Sequence, residues 1–245
     1  PSHGILIDAG IGSRTIKKYL REYGIAMETI MAVLVTHDHA DHIKTIGHLG
    51  GKLNIPVYAT ERVHEGIERS RYIEEKLYTA KKVIEKEQSF EIGKLKITAF
   101  EVPHDSIENV GYKIECADNV IVLATDVGRV TDKLVEYASQ ANHLIIEANY
   151  DEEMLQRGSY PQYLKSRIVS GTGHLSNTYC GELVASIFTD KLNDVWLCHL
   201  SNDNNHPELA YKTVESVLSK NGIVVGKDLS LKALSRGKPS GVKEF

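Results

Sequence analysis

Between Thr36 and His42 the chain reads Thr-His-Asp-His-Ala-Asp-His. His37, His39, Asp41 and His42 put three imidazoles and a carboxylate into six residues, directly after the apolar, β-branched run 31–35. An extended backbone projects residues two apart to the same side, so His37 and His39 aim at one point beyond a strand end. Asp41 and His42 follow on a turn into a helix and aim at a second point nearby. Nitrogen and carboxylate donors in this mixture suit borderline divalent metals: zinc, manganese or iron. The loop is therefore read as half of a two-metal hydrolase site.

The other half is sought directly after other strand-like runs. His104 follows Glu101-Val102-Pro103, Asp126 follows the run 120–125, and His199 follows Val195-Trp196-Leu197-Cys198. Taken singly, each suits a surface or hydrogen-bonded core residue. Together they complete a set in which His37, His39 and His104 hold one metal and Asp41, His42 and His199 the other. Asp126 bridges both through its two oxygens.

His174 closes a Gly-Thr-Gly-His turn before Ser176-Asn177 and a helix. Free N–H groups at a helix start attract anions, and glycines admit a ligand close to the backbone. A phosphate lying there would have Ser176 and Asn177 at the substrate and His174 donating a proton to the departing oxygen. The alternative is a helix cap made by Ser176 or Asn177, with His174 merely exposed. Spacing alone leaves both open. Asp8 has two readings as well: it orients metal-bound histidines through their outer ring nitrogens, or it forms a turn before Ala9-Gly10. His48 reads as a packing or surface residue. His3, His64 and His143 have no ligand partners in sequence, and His206, before Pro207, is placed to cap a helix.

Alternating strand-like and helix-like segments must position these groups. Strands are expected at 4–7, 31–35, 57–59, 95–102, 110–116, 120–125, 143–147, 194–199 and 228–234. Helices are expected at 13–23, 41–49, 131–139, 176–189 and 207–219, with helical turns through 151–168. The residues 61 to about 87 read as a long charged helical stretch, with a break in its middle left open. Polar motifs fall after strand ends, which implies a layered α/β architecture with ligands gathered at one sheet edge.

Composition narrows the class. The chain has 245 residues, 42% hydrophobic and 25% charged, ordinary for a soluble globular protein, and no repeat or low-complexity linker, so residues 1–245 read as a single domain. No apolar run is long enough to cross a bilayer, and no secretory leader is visible. Three scattered cysteines, Cys116, Cys180 and Cys198, form neither a disulfide framework nor a Cys-x-x-Cys site, which suits the cytoplasm. A net charge of −4 argues against coating nucleic acid by bulk electrostatics, so a polyanion would need a local patch or metal. Two basic groups are candidates for that patch. Lys76, Lys81, Lys82 and Lys86 are interleaved with glutamates as on a solvated face, whereas Lys232, Arg236, Lys238 and Lys243 have fewer acids around them and suit phosphate better.

His-x-His-x-Asp-His followed by His104, Asp126 and His199 resembles the metallo-β-lactamase superfamily, whose fold is an αβ/βα four-layer sandwich. His104-Asp105-Ser106 leading to Gly111-Tyr112-Lys113-Ile114 is similar to the third-ligand segment of RNase Z-like phosphodiesterases. Gly173-His174-Leu175-Ser176-Asn177, the run from Cys198 to Asn205, and Glu147-Ala148-Asn149-Tyr150-Asp151 resemble the YycJ/WalJ (VicX) family of bacterial metallohydrolases. That family commonly has His where Tyr150 stands, and usually begins with a strand and a Gly-Ser-rich loop before Ile5, which this chain lacks. Between Asp126 and His174 there is no room for the added module of the RNase J branch. Between His104 and Asp126 there is none for the tRNA-gripping arm of RNase Z. The resemblance implies two divalent metal ions and a 5′-to-3′ exonuclease acting on DNA. Asp41 would hold and deprotonate the attacking water, and His174 would assist the leaving group. Two rivals are a metallohydrolase of small cyclic phosphodiesters or thioesters, and a metal-binding regulatory module without turnover.

Overall fold

The short runs of the first half become strands around one apolar run that is buried on both faces. In a computed structural model, which describes residues 3–244, β1 (Gly4–Ile7), β2 (Ile30–Leu34), β3 (Val57–Ala59) and β4 (Lys81–Val83) form a parallel sheet in that order. β2 is the core of this sheet: Ala32, Val33 and Leu34 are fully buried. Helices α1 (Ser13–Glu22), α2 (Ala40–Ile43) and α3 (Glu61–Arg69) connect the strands. Ile16 of α1 and Val63 and Ile67 of α3 are buried in the same cluster as Val33 and Val57. The hairpin β5 (Ser89–Ile92) and β6 (Leu95–Glu101) pairs antiparallel, Ile92 opposite Leu95. These elements make a compact unit of residues 1–99 with 106–110, so the boundary falls inside β6.

The second unit comprises residues 100–105 and those from 111 onward. β7 (Val110–Cys116) and β8 (Asn119–Ala124) form a hairpin, and β8, β9 (His143–Glu147), β10 (Asp194–Cys198) and β11 (Ser230–Ala233) run parallel. Helices α4 (Asp132–Ala138), α5 (Glu152–Arg157), α6 (Gln162–Ile168), α7 (Asn177–Ile187) and α8 (Pro207–Lys220) complete it. Its core joins Leu144, Ile146, Val195 and Leu197 of the strands to Val184 of α7 and Val214 and Leu218 of α8. His206 caps α8, its Nδ1 accepting from the Glu208 N–H at 3.3 Å. Among the described residues no helix is long and apolar enough to cross a membrane.

Two expected elements differ. The stretch 61–87 is not one helix: α3 stops at Arg69, and a loop, a short 3-10 turn (Tyr78–Ala80) and β4 follow. Ile73, Leu77, Ala80 and Ile84 repeat at helical spacing, yet Tyr78 takes a left-handed backbone (φ 44) that ends any helical run. Their burial comes from separate anchoring of a loop and a strand. The helix expected over 41–49 is also short; α2 ends at Ile43 and a π-helical segment spans Gly47–Lys52, where three glycines weaken ordinary helix.

Candidate metal centre

In the first unit, β1 and β2 deliver their ends side by side, Ile7 opposite Leu34. Asp8, next along, adopts φ 58, a conformation costing a non-glycine residue about 1 kcal/mol or more. That turn aims its carboxylate across at Thr36: Oδ1 accepts the Thr36 N–H and Oδ2 the Thr36 hydroxyl, both at 2.8 Å. Oδ2 also lies 2.7 Å from His42 Nδ1. The Thr36 hydroxyl gives its one proton to Asp8, so its oxygen accepts from His37 Nδ1–H at 2.9 Å. Both rings are thus fixed as Nδ1–H tautomers, with Nε2 carrying the lone pair. His39 stands edge-on to His37, ring centroids 4.7 Å apart, and His42 lies 4.1 Å from His37. Asp41 Oδ2 is 3.9 Å from His42 Nε2, and its side chain is 59% exposed. Gly10 is required by this packing: a Cβ there would lie 1.4 Å from the Asp41 carbonyl oxygen. Asp38, the remaining acid of the motif, is turned aside and accepts the Ile107 N–H at 3.3 Å.

In the second unit, strand register gathers the residues. Ala124 pairs with Ile146, and Ile146 with Leu197, so Asp126, Glu147 and His199 emerge at one level. Asp126 and His199 both take φ 54. His104 is 1% exposed at its side chain; Nδ1 donates to the Gly173 carbonyl at 2.9 Å, and Nε2 is 3.5 Å from Asp126 Oδ1. Burial pushes the His104 ring below the ordinary histidine value against the pull of Asp126, which favours the neutral form that binds metal.

Glu147 is the residue that sequence reasoning missed. It is fully buried and accepts from four donors: Oε1 from His174 Nδ1 at 2.9 Å and His199 Nδ1 at 2.7 Å, Oε2 from the Val127 and Leu175 N–H groups at 2.7 and 3.0 Å. Burial alone would raise its pKa. The charge and hydrogen bond of His174, with those of His199, hold it well below the usual carboxylate range. Its charge likewise raises His174 against the effect of burial. Asp126, Glu147, His174 and His199 offer ligand atoms all within 4.8 Å of one another. With both oxygens of Glu147 engaged, its part is to orient the two rings. The signal was present in the sequence: an acid ending an apolar strand, as Asp126 and His199 follow theirs.

The His174 turn corrects one expectation. The N–H groups of Gly173, His174, Leu175 and Asn177 are bonded to Ser170 O, Ile168 O, Glu147 and Tyr150 O, so these four are not offered to an anion. Ser176 and Asn177, expected at the substrate, are fully buried. Ser176 Oγ caps α7 through the Tyr179 N–H at 3.2 Å, and Asn177 exchanges amide hydrogen bonds with Asn205. They fasten the turn, which only glycine permits at 173: a Cβ there would meet the Ile168 oxygen at 2.1 Å.

The donor chemistry in both units fits divalent metal. His37, His42, His104 and His199 each commit Nδ1 to an oxygen and present Nε2, the arrangement by which an outer partner fixes a ligating imidazole.

Comparison with known proteins agrees with that class. A family model described as the beta-lactamase superfamily domain matches residues 3–192, and the chain belongs to the metallo-β-lactamase superfamily. The exodeoxyribonuclease WalJ of Streptococcus pneumoniae (strain D39) is 34% identical over 227 residues, covering 93% of this chain and 84% of that protein. The exodeoxyribonuclease YycJ of Bacillus anthracis is 34% identical over 229 residues, covering 91% and 84%. Among solved structures, the metallo-β-lactamase fold protein YhfI from Bacillus subtilis has a TM-score of 0.69 at 18% identity, covering 97% of this chain and 86% of that one. The α/β fold class read from the sequence is the one these likenesses show.

Proposed function

We propose that this chain is a two-metal phosphodiester hydrolase, a 5′-to-3′ exonuclease acting on DNA in the cytoplasm, with residues 1–245 working as one domain. The observation that carries the reading is the set of four histidines whose Nδ1 atoms are committed to Thr36, Asp8, the Gly173 carbonyl and Glu147. The exodeoxyribonuclease relatives supply the substrate class, and three free cysteines suit a reducing compartment.

His37, His39 and His104 would hold one metal ion, Asp41, His42 and His199 the other, with Asp126 bridging. Zinc or manganese fits this donor set, and iron is admitted by it. When bound, the pair supplies positive charge to the phosphoryl oxygens and lowers the pKa of water. Asp41, the most exposed acid of the loop, accepts the proton of the attacking water. His174, tied through Nδ1 to Glu147, offers Nε2 to protonate the departing oxygen. General acid assistance of this kind contributes about 10²–10⁴-fold.

The test is to incubate metal-loaded protein with 5′- and 3′-labelled single- and double-stranded DNA and RNA. Stepwise loss from the 5′ end of DNA is expected, and the double variant His37→Ala, Asp41→Ala should be inactive. Wild-type rates in that variant, or turnover confined to small cyclic phosphodiesters or thioesters, would overturn the reading.

A further inference from the structure

Half of the eight cations in the two lysine-rich runs are occupied. Lys81 pairs with Glu61 and Glu68 at 3.0 and 3.3 Å, and Lys86 with Glu108 at 3.0 Å. At the C-terminal end, Lys243 is bound to Asp194 and Lys232 donates to the Ser240 carbonyl. A different surface carries uncompensated positive charge. Residues 9–27 contain Arg14, Lys17, Lys18 and Arg21 against one acid, Glu22, in a chain of net charge −4.

These four cations stand at i, i+3, i+4 and i+7 of α1. At 3.6 residues per turn they share about 100° of the helix surface, while Ile16 and Leu20 face the core of the first unit. All four are exposed. The ion pair on this face is Lys18–Glu22 at 3.7 Å, with side chains 70% and 47% exposed, a geometry that contributes little. Arg14, Lys17 and Arg21 have no acidic partner among the described residues. An open groove of about 450 Å³ runs along them, lined by Arg14, Lys17, Lys18, Arg21 and Glu22.

The face is also tied to the first half of the candidate metal centre. The Ala9 N–H donates to the His42 carbonyl at 2.7 Å, and the Thr45 N–H to the Ala9 carbonyl at 2.9 Å. Gly10 packs on the Asp41 backbone. The turn leading into α1 is therefore fixed on the residues that carry two proposed metal ligands, and the first cation, Arg14, lies four residues beyond Gly10. From Arg14 to Arg21 the helix rises about 10 Å. A stacked strand places a phosphate about every 3.4 Å, so this length faces about three phosphates.

We infer that the exposed face of α1 is a phosphate track, binding the sugar–phosphate backbone of a single nucleic-acid strand through Arg14, Lys17, Lys18 and Arg21. This rests on the nuclease reading for its biological meaning. Its chemistry is sequence-independent, because contacts to phosphate oxygens carry no base information. It supplies the local patch that the negative net charge demands.

The test uses the full, metal-loaded chain and a fluorescent single-stranded oligonucleotide whose phosphorothioate linkages resist cleavage. Anisotropy is read over a salt series. Arg14→Glu with Lys17→Glu and Arg21→Glu should weaken binding at least about tenfold. It should also lower the slope of log affinity against log salt by about 2, three contacts at about 0.7 each. Hydrolysis of bis(p-nitrophenyl) phosphate should be unchanged. If the reversal variant fails to fold, the triple glutamine variant is read in the same way, with a loss of about half that size in log units. Unchanged affinity and slope overturn the inference, as does an equal loss on the small diester. Capture by anionic phospholipid vesicles in place of the oligonucleotide overturns it too. Salt-sensitive binding without any cutting of DNA by the wild type would sink the nuclease reading and leave the track standing.

Discussion

The two units secure their histidines by unlike means. In the first, His37, His39, Asp41 and His42 come from one loop, and Asp8 with Thr36 locks two rings from behind. In the second, His104, Asp126, His174 and His199 come from four separate points of the chain, and Glu147 alone receives two rings and two backbone N–H groups. A loop site depends on local backbone; a dispersed site depends on strand register and on one buried charge. The first should therefore fail residue by residue, and the second all at once.

The largest effect should come from removing proposed ligands. His37→Ala in the loop and His199→Ala in the dispersed set should each lower DNA hydrolysis by about 10³-fold or more. That exceeds the ~10–100-fold typical of losing an outer partner. Initial rates at saturating manganese or zinc check this. If His199→Ala retained near-full activity while His37→Ala did not, the second unit would be scaffold only, and the comparison would break.

Exchanging the two anchoring carboxylates for their amides should come next. Glu147→Gln removes a charge that four donors share and leaves buried donors facing an amide. It should cost about 3–5 kcal/mol of stability, the range for breaking a buried ionic network, together with loss of activity. Asp8→Asn should leave stability closer to wild type and weaken metal affinity about 10–100-fold. Denaturant titration beside metal titration separates the two. Equal stability losses would mean that the second set is no more dependent on a single group than the first.

The same difference explains what could be read from the sequence. Four potential ligands in six residues after an apolar strand are a local signal, and they single the loop out without help from the fold. His104, Asp126 and His199 are singled out by the rule that polar groups gather after strand ends. Glu147 obeys that rule too, but its importance comes from donors 20 to 52 residues away, which no local pattern announces. Ser176 and Asn177 looked ligand-facing because a Gly-rich turn precedes them, whereas tertiary contacts consume their side chains. The stretch 61–87 failed for the reverse reason. Ile73, Leu77, Ala80 and Ile84 carry a true periodicity that a loop and a strand satisfy as well as a helix. The cations of α1 form no lysine-rich run; they become a patch only through their angular position on a helix.

The smallest predicted effect separates the units by pH. His64 in α3 is fully buried; Nε2 lies 3.1 Å from the Lys82 carbonyl, and Nδ1 has no hydrogen-bond partner among the described residues. Burial lowers its pKa from 6.5, outweighing the hydrogen bond to Lys82. The unfolded chain then takes up a proton that the folded ring refuses, so stability falls as pH drops below 6.5 towards the lower folded value. The second unit holds a buried histidine of the same kind, His104, bonded to the Gly173 carbonyl, but its strands β9 and β10 are anchored by Asp194, bonded to His143 at 2.8 Å and to Lys243. Burial raises its pKa, but those two partners outweigh it and leave it below 3.8. Its contribution is present above 3.8 and is lost only as pH falls through the lower folded value. Between pH 6.5 and 4, acid should loosen the first unit and spare this anchor of the second. Hydrogen exchange at pH 7 and pH 5, corrected for intrinsic rates, should show protection falling in α3 and β4 but not in β9 and β10. His64→Gln should flatten the response. An equal fall in β9 and β10, or no change on that substitution, would place the acid sensitivity elsewhere than in His64.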